Sequence, residues 1–281
     1  MNNNFCDPRL LVPLKEFCDK IKNDWSCGYY WGVFLPYVME KYKESEVKTF
    51  FIGRDTKAWM DESGFECLKD FYEKNKLQEY LTANSEFNPE DEVNNNTSSF
   101  WTFACKLYLS IMSGKNYYDV KVHDYSEEDF DILKGLGYGN MYAIEKRESL
   151  MRENGATNSW DDDIVRDGNE EQYWHMFNAA QEILNKYRYI AEFYSPKVSF
   201  CMCWEFEDWD RYFEGCDYDY LEEYSKNNYY CTYRINYKGK VSYFVQTYHP
   251  SSFPGKKWDN EDREDYMLEL VELYNKLISK K

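Results

Sequence analysis

Short apolar runs of strand-forming residues, separated by amphipathic helical segments, constrain the fold of this chain more than any other feature. Residues 48–52 (KTFFI) end at Gly53, residues 136–144 form a second run that contains two glycines, and residues 198–204 form a third. Strands that alternate with helices are typical of a mainly parallel sheet with helices on both faces. We therefore expect an α/β fold, a three-layer α/β/α arrangement around a central sheet of about four strands.

The fourth strand is predicted near the C-terminus. Residues 229–237 and 240–248 alternate well and flank Lys238-Gly239, which predicts a β-hairpin whose second strand enters the central sheet. Apolar residues recur at helical spacing in five other segments, and we expect helices there. These segments are residues 9–23, 65–81, 100–114, 173–191 and 260–277.

The chain contains no internal repeat and no linker long enough to divide it. We therefore expect a single domain over residues 1–281. Residues 1–45 are expected to form an N-terminal helical covering layer. Residues 205–228 are rich in Asp, Glu and Tyr and are expected to form an acidic insertion.

Composition excludes several classes of protein. No stretch approaches ~18 consecutive apolar residues, and the N-terminus lacks the basic-then-apolar pattern of a secretory signal, so we expect a cytoplasmic protein with no membrane partner. The nine cysteines are an odd number and include no C-x-x-C pair, so the sequence suggests neither a disulfide framework nor a zinc ribbon. They are not grouped as four ligands of an iron–sulfur cluster either. We expect reduced, mostly buried thiols, and neither a metal nor another cofactor.

The formal net charge of −17 argues against a general nucleic-acid binder, because non-specific affinity for a phosphate backbone comes mainly from Lys and Arg. Local concentration of positive charge would weaken this objection. Four lysines flank residue 249 in the sequence, and we expect them to supply such a cluster. They are Lys238, Lys240, Lys256 and Lys257.

Polar residues follow or interrupt three of the predicted strands. Gly53-Arg54-Asp55-Thr56 follows the first strand, Asn140 lies in the middle of the second, and His249-Pro250-Ser251 follows the last. Ligands of parallel sheets bind at the carboxyl ends of the strands. We therefore expect these three groups to line one cleft at one edge of the sheet.

In this order, the three groups resemble the signature of the uracil-DNA glycosylase superfamily: a strand ending in Gly-x-Asp, a later strand with a lone Asn, and a final strand running into His-Pro-Ser. The resemblance spans residues 48–279 and identifies the chain as a diverged member. It implies an enzyme that hydrolyses the N-glycosidic bond of a base flipped out of DNA. The chemistry of the family requires no metal or cofactor.

The resemblance also implies catalytic and recognition roles. Asp55 would orient or deprotonate the attacking water and stabilise the cationic sugar, and His249 would donate a hydrogen bond to the departing base. Asn140 would pair with the edge of the base, since its carboxamide offers both an acceptor and donors. Without the family context, Asp55 is equally typical of a helix cap and Asn140 of a buried residue that satisfies nearby backbone.

The remaining substrate contacts implied by the resemblance come from the same loops. Gly53, Arg54 and Thr56 would contact the substrate beside Asp55. Ser251 would bond a phosphate, and Phe253 is placed where the family inserts an apolar wedge into the duplex. The stacking partner of the base is left open between Trp59 and Phe65, for each of which a core role is also expected.

Two features depart from the family and support an alternative. Thr56 and Lys57 stand where the best-known branch has proline and tyrosine, and the acidic insertion would repel phosphates if it faced the DNA. The alternative is a catalytically inactive member that binds a nucleotide, or a protein partner through its acidic surface. A phosphate-transfer protein fits less well, because the chain has no Gly-rich Lys-Ser/Thr phosphate loop. In either case we expect a monomer.

Overall fold

The computed structural model describes residues 5–29, 32–54, 64–83, 99–116, 125–144, 170–204, 208–227, 229–248 and 260–279, with backbone only at residues 99 and 260–264. The strands are β1 (Tyr37–Val38), β2 (Thr49–Gly53), β3 (Leu136–Asn140), β4 (Val198–Cys201), β5 (Asp217–Tyr220), β6 (Tyr230–Tyr237) and β7 (Lys240–Thr247). The helices are α1 (Leu11–Ile21), α2 (Gly64–Glu73), α3 (Leu77–Ala83), α4 (Ser99–Ser113), α5 (Glu127–Leu133), α6 (Glu170–Ile183), α7 (Tyr187–Phe193), α8 (Trp209–Tyr212) and α9 (Asn260–Ser279).

The described strands form one mixed sheet in the order β1-β3-β2-β4-β7-β6-β5. Its centre, β3-β2-β4-β7, is parallel throughout, whereas β1, β6 and β5 are antiparallel to their neighbours. The α/β class and the parallel centre predicted from the sequence are confirmed. The whole sheet has seven described strands, more than the four expected.

Two of the additional strands come from segments that the sequence assigned to other roles. β1 lies inside the N-terminal covering layer of residues 1–45, where the buried Tyr37 pairs with Tyr138 of β3. β5 lies inside the acidic insertion of residues 205–228 and pairs with β6. Asp217 and Asp219 are exposed on this edge strand, and charged side chains there discourage pairing with other chains.

Helices α4 and α9 contact one face of the sheet. Tyr108 of α4 packs edge-on against Phe51 with ring centroids 6.2 Å apart, and Tyr274 of α9 stacks with Phe200 at 6.4 Å. All four side chains are buried. Aromatic side chains therefore join these two helices to the centre of the sheet, and their edge-on and stacked geometries are favourable for aromatic pairs.

Helix α7 contacts the opposite face. Tyr194, which follows α7, stacks on Phe50 at 5.7 Å, and Tyr187 packs edge-on against Phe244 at 5.3 Å. The ring of Phe50 also occupies the space that a side chain at residue 137 would need. Gly137 is therefore required for close approach of a ring to the β3 backbone.

The hairpin around residues 238–239 is confirmed. Tyr237 pairs with Lys240, and the two turn residues have positive φ angles of 50° at Lys238 and 79° at Gly239. Positive φ at both central residues is the type I′ pattern, whose twist matches that of the flanking strands. The hairpin delivers β7 into the parallel centre beside β4.

Two predicted helices are each divided. The segment 65–81 breaks at Asn75, whose φ of 56° is left-handed and tolerated best by Asn and Gly, so α2 ends and α3 begins anew. The segment 173–191 breaks at Lys186, whose backbone is extended. Its buried amine pairs with Glu214 at 2.5 Å. Helical spacing along the sequence does not reveal this tertiary ion pair at the break.

Candidate functional site

The carboxyl ends of four adjacent strands lie along one edge of the sheet, because β3, β2, β4 and β7 run in the same direction. These ends are at Asn140, Gly53, Cys201 and Thr247. All three polar groups singled out in the sequence begin at this edge. We refer to it as the carboxyl edge.

The strand order places a topological switch point between β2 and β4. From β2 the chain continues to β3 on one side, whereas from β4 it continues by way of β5 and β6 to β7 on the other side. In open α/β sheets the two connections then leave a crevice outside the carboxyl ends of the two strands, where ligands bind. This argument rests on topology alone and selects the same edge as the polar residues.

Gly53, Arg54 and Asn140 lie within the described part of the chain. Asp55 directly follows the last described residue of the first group, and His249 directly follows Tyr248. Strands β2 and β7 are separated by β4 only, so their ends are about 10 Å apart at a spacing of about 4.8 Å per strand. Other residues of interest lie outside the described residues: Thr56, Lys57, Trp59, His123, Ser251, Phe253, Lys256 and Lys257.

Asn140 is the last residue of β3, not a residue in the middle of a longer strand as the sequence predicted. It pairs in register with Gly53 of β2. The Tyr138 hydroxyl donates a hydrogen bond of 2.9 Å to Asn140 Oδ1. A Cβ at residue 53 would lie 2.6 Å from the same oxygen, so the glycine leaves the space that the carboxamide fills. Together these contacts hold the half-buried Asn140 side chain at the end of the strand.

Aromatic residues at the start of α4 support Tyr138. Phe100 and Trp101 lie 5.2 Å and 4.6 Å from the Tyr138 ring. Phe100 is also close to Gly53 at the carboxyl edge, whereas Tyr108 is close to Gly135, before the start of β3. The N-terminus of α4 therefore faces the carboxyl edge. Its first turn contains no acidic residue, so its partial positive charge is not offset within that turn.

A stacked aromatic pair lies at the carboxyl ends of β4 and β7. The rings of Trp204 and Tyr248 are 4.4 Å apart with an interplanar angle of 24°. Gln246 Nε2 donates to the backbone oxygens of Cys203 and Trp204, each at 3.0 Å. The sequence analysis missed this pair, although one ring ends the third apolar run and the other directly precedes His249.

The cysteines at this edge serve packing. Cys201 and Cys203 are buried, and burial raises the pKa of the Cys201 thiol well above its ordinary value. Cys201 therefore remains a neutral thiol and is not a nucleophile. All nine cysteines are free, as expected. In the part of the chain that the structure describes, no group of three or more His, Cys, Asp or Glu has an arrangement suited to a metal ion.

The prediction that four lysines cluster around His249 is wrong for two of them. Lys238 and Lys240 lie at the hairpin turn, where β7 begins, and seven residues of strand separate Lys240 from Thr247. At about 3.3 Å per residue this distance is roughly 23 Å. Lys238 forms an ion pair with Glu192 at 2.8 Å instead.

Two other residues, Phe65 and His175, have structural surroundings. Phe65 is buried and packs against Trp25 and Tyr29 with centroids 5.0 Å and 5.3 Å away, which makes it a core residue. The exposed His175 on α6 contacts an Asp24 carboxylate oxygen through Nδ1 at 2.8 Å. Neither residue belongs to the carboxyl edge.

None of the described helices combines the length and apolar character needed to cross a bilayer. Comparison of the chain with protein-family models, with curated proteins and with solved structures gave no match.

Proposed function

We propose that this protein is a uracil-DNA glycosylase-like hydrolase that cleaves the N-glycosidic bond of a base flipped out of DNA. The observation that carries the proposal is that the strands leading to Asp55, Asn140 and His249 all end at the carboxyl edge of one parallel sheet. A three-layer α/β/α domain over residues 1–281 is part of the proposal, supported by the contacts of α4 and α9 with one face and of α7 with the other. We further propose a cytoplasmic monomer.

The spacing of the strands suits this chemistry. The strands that lead to Asp55 and His249 end about 10 Å apart, a distance comparable with the size of one nucleoside. In the proposed reaction Asp55 takes a proton from water, the water oxygen bonds to C1′ of the sugar, and the C1′–N bond breaks. The base departs with the bonding electrons, and a hydrogen bond from His249 stabilises the negative charge that it carries.

Asn140 is proposed to recognise the base. The hydrogen bond from Tyr138 and the close contact with Gly53 restrict the carboxamide before a ligand arrives. A side chain that is already oriented loses less conformational freedom when a base pairs with it. This support explains why a glycine and an asparagine stand opposite each other at the ends of β2 and β3.

The net charge of −17 is the main objection to a DNA substrate, and two features of the fold reduce it. The N-terminus of α4 directs partial positive charge toward the carboxyl edge, where a phosphate would be favoured. The acidic strand β5 lies four strand positions from β2, about 19 Å away. Part of the acidic insertion is therefore remote from the proposed cleft.

The test uses a single-stranded oligonucleotide that contains one deoxyuridine, followed by alkali cleavage of abasic sites. We expect the parent protein to produce alkali-labile sites and Asp55→Asn and His249→Ala to lose about 10²–10⁴-fold in rate. Asp219→Asn and His175→Ala are matched controls, since both residues are exposed and lie outside the carboxyl edge. The two controls should retain the parent rate.

The net charge favours one alternative, a non-catalytic member that binds a nucleotide, or a protein partner through its acidic surface. The same assay separates the two functions. Failure of the parent protein to release uracil, its oxidised derivatives or mismatched thymine would reject the enzyme. Binding of a nucleotide without cleavage would then support the alternative.

A further inference from the structure

Trp204 lies at the end of the strand between the two proposed catalytic loops. β4 is flanked by β2, which leads to Asp55, and by β7, which leads to His249. The Met202 amide still donates to the Ile52 carbonyl of β2 at 2.8 Å, so the chain follows the sheet nearly as far as Trp204. Trp204 therefore follows a strand that borders the switch point, where the topology predicts a ligand.

The two rings of the stacked pair differ in exposure. Tyr248 retains 7% of its accessible surface, whereas Trp204 is half-buried. Tyr248 is thus the inner ring and Trp204 the outer one. Tyr248 is the only ring that stacks on Trp204 among the described aromatic contacts. The outer ring is therefore supported from behind and keeps accessible surface.

The surroundings hold both rings in place. Gln246, which is only 5% exposed, bonds the carbonyl oxygens of Cys203 and Trp204 and so fixes the chain that carries the indole. The Tyr248 amide donates to the Tyr266 hydroxyl at 3.3 Å. Tyr266 is fully buried in the core. A rigid aromatic ring with accessible surface suits recognition, since little side-chain freedom remains to be lost on binding.

We propose that the face of Trp204 turned away from Tyr248 is the stacking platform for the planar base of the substrate. This inference rests on the proposed function and adds to it the residue that binds the faces of the base, while Asn140 binds its edge. Stacking tolerates any base because every base has a π face. Trp204 would therefore supply affinity, and Asn140 would supply selectivity.

The test compares two single-stranded oligonucleotides, one with a single deoxyuridine and one with a tetrahydrofuran abasic analogue at the same position. Binding is measured by fluorescence polarisation in an Asp55→Asn background, which prevents turnover. We expect the deoxyuridine strand to bind about tenfold more tightly, and Trp204→Ala to abolish this preference. A tenfold ratio corresponds to about 1.4 kcal/mol.

Two further variants control for a purely structural role of Trp204. Trp204→Phe keeps an aromatic face and should keep the preference within about threefold, since stacking does not require an indole. Trp25→Ala removes another half-buried tryptophan, one that packs against Phe65 and Tyr72 of α2, and should keep the full preference. Thermal unfolding of each variant establishes that the protein is folded.

The outcomes separate the platform from the proposed function. If the parent protein cleaves the strand and the folded Trp204→Ala variant keeps the tenfold preference, the platform is overturned and the glycosylase proposal stands. A second result would also overturn the stacking platform. If Trp204→Phe and Trp204→Ala are both folded and both lose the preference for deoxyuridine, stacking is not the cause of that preference. Absence of cleavage and of any preference in the parent would overturn both.

Discussion

Substituting Gly53 by alanine should disturb the proposed recognition residue while leaving the fold intact. The new methyl group would lie 2.6 Å from Asn140 Oδ1, 3.3 Å from Phe100 Cε2 and 3.5 Å from the Tyr138 hydroxyl. The first of these distances is far below van der Waals contact, whereas the third is ordinary. The Asn140 carboxamide must therefore move, and it loses its hydrogen bond from Tyr138.

The expected cost combines two effects. Loss of a hydrogen bond of this kind costs about 1 kcal/mol, and inserting one methyl group into a packed site costs about 1–3 kcal/mol. A free energy of unfolding lower by at least about 2 kcal/mol is therefore expected. For a domain of 281 residues, a loss of about 2 kcal/mol corresponds to a fall in Tm of roughly 3–4 °C. Glycosylase activity should fall more steeply than stability, because the moved side chain is the one proposed to hold the base.

A double-mutant cycle with Asn140→Ala tests the cause. Chemical denaturation gives the free energy of unfolding of the parent, both single variants and the double variant. If the methyl group clashes with the carboxamide, Gly53→Ala should be nearly neutral in the Asn140→Ala background, a coupling of about 1–2 kcal/mol. Strictly additive costs would refute the reasoning.

Gly139→Ala is the matched control for the effect on activity. A Cβ at residue 139 would lie 3.0 Å from the Phe50 ring, on the opposite face of β3 from Asn140. This variant should lose stability by a similar amount. It should keep its activity at temperatures where it is folded.

Two further predictions concern the packing of α7. Tyr187→Phe should lower the free energy of unfolding by about 1–2 kcal/mol, measured by chemical denaturation. The reason is that the hydroxyls of Ser199 and Ser242 lose the buried Tyr187 hydroxyl, which lies 2.9 Å and 3.3 Å from them. An unchanged denaturation midpoint would contradict this prediction. Glu192 accepts hydrogen bonds from Lys238 and Tyr237, and these interactions lower the pKa of its carboxyl group. The stability that Glu192 contributes is therefore present above its unfolded pKa of about 4.3 and lost as the pH falls through the lower folded value. At pH 7 the free energy of unfolding of Glu192→Gln should be about 0.5 kcal/mol lower than that of the parent. Denaturation curves should show that this difference in free energy becomes smaller below pH ~4. A difference that does not change with pH would contradict the role of the ion pair.

Local patterns were sufficient to predict most individual elements. The residues of β2, β4 and α4, and the turn at residues 238–239, follow from periodicity and turn chemistry that act over a few neighbouring residues. The end of α4 is another example, since Gly114 follows the last helical residue with a left-handed φ of 67°. The α/β class followed from the order of these elements.

Patterns of this kind misplaced features that depend on distant residues. The sequence suggested one helix across Lys186, where the structure has an extended residue whose buried amine pairs with the exposed Glu214 carboxylate. It grouped Lys238 with residue 249 because the two are close in the chain, although the eight-residue strand β7 places Lys238 and Thr247 at opposite edges of the sheet. Nearness along the chain is a poor guide where an extended strand intervenes.

By itself, then, the sequence determined the strands of the parallel centre, most of the helical segments and which polar residues follow the strands. Only the tertiary structure decided the order of the strands, which brings the ends of β3, β2, β4 and β7 to one edge. It also decided the contact of Asn140 with Gly53 and the stacking of Trp204 on Tyr248. Local preferences for helix or strand arise from neighbouring residues. Strand pairing joins residues up to about 150 positions apart, such as Phe51 and Phe200. It depends on packing between distant segments, which no short stretch of sequence encodes.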